Sequence, residues 1–192
     1  MRTICITGVT TGIGAAIARA VAQPDDVVYL QYRANRDRCT AVAEELAACG
    51  ANTKILQADF AADPDGGARR IAEEISAGSR ELDLLVNNAG GIPERRTVDK
   101  AEYRIVAETI NLNLVAPMML STYLHPLLSA AAERNGRADV INITSIASRS
   151  GSPTSTPYGA AKAGLENFTR GFAKEAGPGI RVNSVSPGVV DT

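Results

Sequence analysis

The sequence has no tryptophan, one histidine, three cysteines and an aromatic content of 4% in 192 residues. The single histidine, His125, stands beside Pro126 in a helical stretch, a poor place for the general base that a serine nucleophile needs. An odd, unpatterned set of cysteines builds no disulfide framework. Cys5 is expected to pack in the first strand. Cys39 and Cys49, if they share one helix, stand about 15 Å apart along its axis, beyond disulfide reach. All three read as small buried hydrophobes. Neither sign of charge is in excess, with 20 Lys and Arg against 21 Asp and Glu. That balance gives no electrostatic reason to bind nucleic acid and leaves small neutral or anionic molecules as the natural partners. Met1-Arg2 runs straight into a strand-like apolar segment without a targeting signature, and no stretch reads as long and apolar enough to span a bilayer. The expected location is the cytosol, in the cytoplasmic fraction.

Apolar, β-type runs recur over 3–7, 27–32, 53–57, 82–87, 140–144 and 181–186. Helix-like segments lie between them over 12–22, 37–49, 65–76, 100–135 and 157–175, with Gly, Pro, Asn and Asp at the junctions. The alternation predicts an α/β fold, a doubly wound parallel sheet covered by helices on both faces. The length suits one domain with a core that needs neither disulfides nor metal. In the fourth helical segment Pro117 or Pro126 is expected to kink or break the helix.

The turn Thr7-Gly8-Val9-Thr10-Thr11-Gly12-Ile13-Gly14 follows the first strand and opens the first helix. That context suits a dinucleotide: glycines let the backbone approach a pyrophosphate, whose charge then sits at the helix N-terminus. The spacing departs from G-x-G-x-x-G, with three residues between Gly8 and Gly12. At the end of the second strand, an acidic residue would select the ribose 2′-hydroxyl of NAD. Tyr32-Arg33-Ala34-Asn35 stands there instead. Arg33 offers a planar fork to a 2′-phosphate, which favours NADP over NAD, unless it is only a solvated loop charge.

Tyr158 and Lys162 lie four residues apart, on one face of a helix. A phenol ordinarily near pKa 10 must be lowered by roughly 3 units to exchange protons near neutrality, a requirement of about 4 kcal/mol. An ammonium about 4 Å away supplies a term of that order at an effective dielectric near 20. The pair can therefore protonate a carbonyl oxygen while a nicotinamide cofactor delivers hydride, or run the reverse. Ser145, just past the fifth strand, could orient the same oxygen or be a plain turn residue, with Thr144 as a competing hydroxyl. Asn113, with Asn111 as a competing amide, could be a locally satisfied core amide.

With these pieces in order, the chain resembles the short-chain dehydrogenases/reductases. The resemblance rests on the segment from Thr7 to Gly14, Asp59-Phe60, Asn87-Asn88-Ala89-Gly90, Asn113, Ser145, Tyr158-Gly159-Ala160-Ala161-Lys162 and Pro187-Gly188-Val189-Val190-Asp191-Thr192. Tyr32-Arg33 and Ala160-Ala161-Lys162-Ala163-Gly164 look like the 3-oxoacyl-carrier-protein reductase branch. The resemblance implies a catalytic set of Asn113, Ser145, Tyr158 and Lys162, with Asn113 holding a water that links Lys162 to solvent. It implies a cofactor site of Gly8, Thr11, Gly12, Ile13, Gly14, Arg33, Asn35, Asp59, Phe60, Asn87, Ala89 and Gly90, completed by Tyr158, Lys162, Pro187, Gly188, Val190 and Thr192. Asp59 would meet the adenine, Asn87 and Gly90 the adenosine ribose and phosphate region, and Val190 and Thr192 the nicotinamide half. No metal is implied. A homo-oligomer, dimer or tetramer, paired through the fourth helix and the Tyr158 helix is implied by analogy, and an internal core face would explain the same small residues. Relatives continue past the point matching Thr192 with a lid, a helix and a seventh strand. The expectation is therefore one NAD(P)-binding domain over 1–192 with six strands, belonging to a longer protein, acting on a ketone, 3-oxoacyl thioester, sugar or similar carbonyl. A non-catalytic dinucleotide-binding sensor of the same fold is the rival; an epimerase or dehydratase fits the length and glycine spacing less well.

Overall fold

The structure, a computed structural model, describes residues 1–10 and 12–190. The elements alternate as β1 (Thr3–Thr7), α1 (Gly12–Val21), β2 (Val27–Tyr32), α2 (Arg36–Ala48), β3 (Asn52–Gln57), α3 (Pro64–Gly78) and β4 (Leu84–Asn87). They continue as α4 (Tyr103–Ile110), α5 (Ala116–Asn135), β5 (Ala138–Ile143), α6 (Ala147–Ser150), α7 (Thr156–Ala176) and β6 (Ile180–Val185). All neighbouring strands are parallel, in the order β3-β2-β1-β4-β5-β6. This is the expected Rossmann-type sheet.

Local chemistry sets the helix starts. Asn35 and Asp63 each accept a bond from the backbone N–H three residues on, at 3.1 and 2.9 Å, and Pro64 occupies the first turn of α3, where its missing N–H costs nothing. Apolar residues on both faces of the sheet then build two cores. Ile4, Ile6, Val28 and Leu30 pack against α1 and α2. On the other face Cys5, Tyr29, Leu85 and Val140 meet Ile71, Ile75, Leu120, Leu124 and Leu128.

Three expectations change. The helical run from Tyr103 to Asn135 is not broken at either proline; it contains a π-helical turn at Asn111–Val115, just before Pro117. In a regular helix the Pro117 ring would crowd the carbonyl four residues back, and a widened turn relieves that crowding. The same run is long and apolar enough, by length and composition, to cross a bilayer, contrary to the sequence reading. Its Leu120, Leu124 and Leu128 are instead packed in the core. Cys5 and Cys39 are buried, so desolvation pushes their thiols up to about 12 and about 11, but Cys49 is exposed at the end of α2. On α7, Gly164 serves a contact within the chain, since a Cβ there would stand 3.0 Å from Leu114, while Ala160 is exposed.

Leu124 is fully buried in the larger core. Leu124→Ala is expected to cost about 2–5 kcal/mol by loss of burial plus the cavity left behind. Thermal unfolding followed by circular dichroism checks it, with a fall in Tm of about 5 °C or more.

Candidate active site

The strand order reverses between β1 and β4, and their C-terminal ends are stitched together. Thr7 Oγ1 accepts the backbone N–H groups of Asn88 and Ala89 at 3.0 and 2.9 Å. The Asn88 amide donates back to the carbonyls of Thr7 and Gly8 at 2.9 and 3.0 Å. The glycine turn then folds over this knot so tightly that a Cβ on Gly14 would stand 2.1 Å from the Gly8 carbonyl oxygen. No side chain fits there. Gln31, nearly fully buried, holds the turn from the other side: its Oε1 accepts from Gly8 N at 3.0 Å, and its Nε2 donates to the carbonyls of Tyr32 and Ala58 at 2.8 Å each.

Above these ends lies an open cleft of about 550 Å³, within the usual range for cofactor sites. Its floor and one wall carry Gly8, Gly12, Ile13 and Gly14; Arg33 and Phe60 stand toward the β2 and β3 side, and Ala89 and Gly90 in the middle. Ser145, Tyr158, Lys162, Pro187, Gly188 and Val190 close the other end. Arg33 is exposed and its guanidinium makes no ion pair among the described residues. A backbone cradle at the start of α1, with a phenol and lysine at the far end, fits a nicotinamide dinucleotide.

Some residues singled out from the sequence are placed elsewhere. Asn35 caps α2. Asp59 Oδ1 accepts from the backbone of Ala61 and Ala62 at 3.1 and 3.4 Å, so it makes a turn. Asn87 is buried beside the cleft's floor, donating to Asn142 at 2.8 Å and Ser121 at 3.3 Å. None of the three lines the cleft, although Ala58 and Phe60 on either side of Asp59 do, and the Asn87 side-chain oxygen has no hydrogen-bond partner among the described residues. Thr11 and Thr192 lie outside the described residues. Gln31 and Asn88 do line it and were not among the sequence candidates. For Gln31 the available signal was a lone amide in the apolar run Val27–Tyr32.

At the catalytic end, α7 presents Tyr158 and Lys162 on one face, with Lys162 Nζ 5.8 Å from the Tyr158 ring centre. The Tyr158 hydroxyl has no hydrogen-bond partner among the described residues. Ser145 Oγ accepts from Ala147 N at 3.1 Å, which leaves its own proton for a ligand. Thr144 also lines the cleft, but its hydroxyl is engaged on the β6 side, 3.1 Å from Val185 O and 2.6 Å from Ser186 Oγ. Asn113, in the π turn, is fully buried and closes a two-way bond with Gly91, accepting from its N–H at 3.0 Å and donating to its carbonyl at 2.7 Å, with Thr109 O at 2.9 Å. Asn111 points away, to Ala61 O. A Cβ on Gly90 would stand 2.9 Å from Asn113 Oδ1 and 3.0 Å from Lys162 Nζ, so a glycine is what lets these groups close around the site.

Lys162 is the electrostatic anomaly. Its ammonium is buried and donates to Ile143 O at 2.8 Å, and desolvation pushes its pKa down to about 8.

The family model for short chain dehydrogenases matches residues 2–192. A 3-oxoacyl-[acyl-carrier-protein] reductase of Synechocystis is 35% identical over 188 residues, covering 97% of this chain and 73% of that protein. An NADH-dependent reductase, A1-R', solved with NAD, superposes with a TM-score of 0.90 at 29% identity, over 99% of this chain and 79% of its own. The NADP complex of RhlG from Pseudomonas aeruginosa superposes with a TM-score of 0.87 at 32% identity, over 99% and 73%.

The lowered pKa of Lys162 has a measurable consequence. Between about pH 8 and the ordinary lysine value of 10.5, the unfolded chain holds a proton that the folded chain has released. Stability from this group therefore rises with pH across that window and is lost as pH falls through 8, by up to about 3 kcal/mol. Urea unfolding at pH 7.5 and 10 is expected to show this rise in the wild type and its absence in Lys162→Met.

Proposed function

The chain belongs to the short-chain dehydrogenase/reductase family, oxidoreductases acting on CH–OH and C=O groups, and from that premise we propose an NADP-dependent carbonyl reductase. Its substrate is a small ketone or 3-oxoacyl thioester, the thioester being supported by the similarity to an acyl-carrier-protein reductase. The observation that carries the reading is the convergence of Ser145, Tyr158 and Lys162 on one end of a cleft whose other end holds Arg33.

The residues divide the work. The first turn of α1 and the glycine backbone receive the pyrophosphate, and the Arg33 fork receives the 2′-phosphate. When bound, the cofactor supplies hydride to the carbonyl carbon. Ser145 donates its free hydroxyl proton toward the carbonyl oxygen and fixes the carbonyl's direction. Tyr158, whose hydroxyl is not committed to another group, gives that oxygen its proton. Lys162 places a positive charge behind the phenol, where low dielectric makes it count for more than in water. Asn113, with its amide pinned to Gly91, holds the loop that brings Gly90 against Lys162. For alcohol oxidation the same groups run in reverse, with the phenolate as base.

NADPH oxidation against a panel of ketones and 3-oxoacyl thioesters tests the reading. Tyr158→Phe is expected to lose about 100-fold or more in kcat; equal rates for the two proteins would refute the mechanism, and tight NADPH binding without turnover would favour a nucleotide sensor. Arg33→Ala is expected to erase about tenfold or more of the preference for NADPH over NADH. An unchanged preference would remove Arg33 from the account.

A further inference from the structure

Tyr158, Lys162 and Glu166 follow one another at four-residue intervals on α7 and share a face. The first two reach the reacting groups, and the third lies one turn further along the helix, its side chain largely covered. Its Oε1 accepts from Ser148 Oγ at 2.6 Å and from Ser186 Oγ at 3.0 Å, while Arg149 Nε stands 3.7 Å from Oε2. The two serines stand behind different segments that line the same end of the cleft. Ser148 lies in α6, whose start is bonded to Ser145: the Ser148 N–H donates to Ser145 O at 3.0 Å. Ser186 immediately precedes Pro187 and Gly188, which line the cleft, and it touches Thr144 Oγ1 at 2.6 Å.

Proton counting decides how this node is wired. Ser148 has one hydroxyl proton and two acceptors in reach, Glu166 Oε1 and, at 2.7 Å, Ser145 O. The Ser145 carbonyl already receives the Ser148 N–H, and a carboxylate is the stronger acceptor. The proton therefore belongs to Glu166, and Ser186 donates its own to the same oxygen. The bonds from Ser148 and Ser186, helped by Arg149, outweigh desolvation and hold the carboxyl below the ordinary carboxylate range.

The backbone already ties the two segments, Thr144 N to Val185 O at 2.8 Å and Ile146 N to Pro187 O at 3.1 Å. We propose that Glu166 is a positioning residue whose single oxygen fixes how the side chains of the Ser145 segment and the Pro187-Gly188 wall are held on that frame, and so the placement of the substrate carbonyl against the nicotinamide. This rests on the reductase reading given above. Each arm of the clamp serves one ligand: the Ser148 arm the substrate oxygen, the Ser186 arm the nucleotide.

The test separates the arms by measuring kcat in NADPH oxidation and the NADPH dissociation constant by fluorescence titration. Ser148→Ala is expected to lower kcat by about tenfold, the scale of one charge-assisted bond, with nucleotide affinity unchanged. Ser186→Ala is expected to weaken NADPH binding several-fold, with the smaller effect on kcat. Glu166→Ala combines both losses, and Glu166→Gln, which keeps an acceptor oxygen, recovers most of each. Should Glu166→Ala fail to fold, as read by circular dichroism, the Gln and serine variants carry the same split. Unchanged constants in Glu166→Ala, or identical losses in both constants for the two serine variants, would overturn the proposal. A wild type silent toward every carbonyl would defeat the reductase reading, while the nucleotide affinities of Glu166→Ala and Ser186→Ala would still decide whether the clamp exists.

Discussion

The site depends on the hydrogen-bonded knot between the ends of β1 and β4. The strand order reverses at that seam, so the following segments leave in opposite directions and open a crevice between them. Thr7 and Asn88 close the seam from both sides, each supplying a side chain to the other's backbone. These bonds are partly shielded from water, where an unmade bond costs more than a made one contributes. The glycine turn rests on the knot, since Gly14 approaches Gly8 closer than any side chain permits. Loosening the seam would move the cradle and the Gly90 loop together.

The opposite end of the cleft is organised by α7. Its face carries the phenol, the ammonium and the carboxylate in succession, with the ammonium the most deeply buried of the three. Burying Lys162 is unfavourable for its charged form, and one carbonyl bond does not repay it. That imbalance makes the ammonium ready to interact with negative charge developing on a neighbouring oxygen. Glu166, four residues on, is balanced by two hydroxyls and acts on the walls instead. The π turn at Asn111–Val115 faces this helix and offers Asn113 to the Gly91 backbone; widened turns of this kind recur at functional sites.

Much of this was legible in the sequence because it is local. Strand runs, the glycine turn and the four-residue spacing of Tyr158 and Lys162 need only neighbouring residues, and the structure brings these segments to one cleft. What was not legible depends on how a chain leaves a strand. Asn87 and Asn88 are adjacent and chemically identical, yet the first is the last residue of β4 and turns into a buried bond with Asn142, while the second turns out to the knot. Gln31 looked like an interruption in an apolar strand, and its three partners lie on two other segments or on its own backbone neighbour. Asp59 and Asn35 carry local chemistry as well as motif position: one makes a turn and the other a cap, bonds that neighbouring residues suffice to form. The π turn had no signature beyond Pro117, since a proline by itself announces a kink rather than a widened turn.

The central claim is that one dinucleotide spans the cleft from Arg33 to Tyr158, across the knot. A crystal structure of the protein with NADPH tests it most directly. The account requires the pyrophosphate against the Gly12-Ile13-Gly14 backbone, the 2′-phosphate within hydrogen-bond distance of Arg33, and the nicotinamide beside Tyr158 and Ser145. A nucleotide seated away from the glycine turn, or one whose nicotinamide points away from Tyr158, would contradict it.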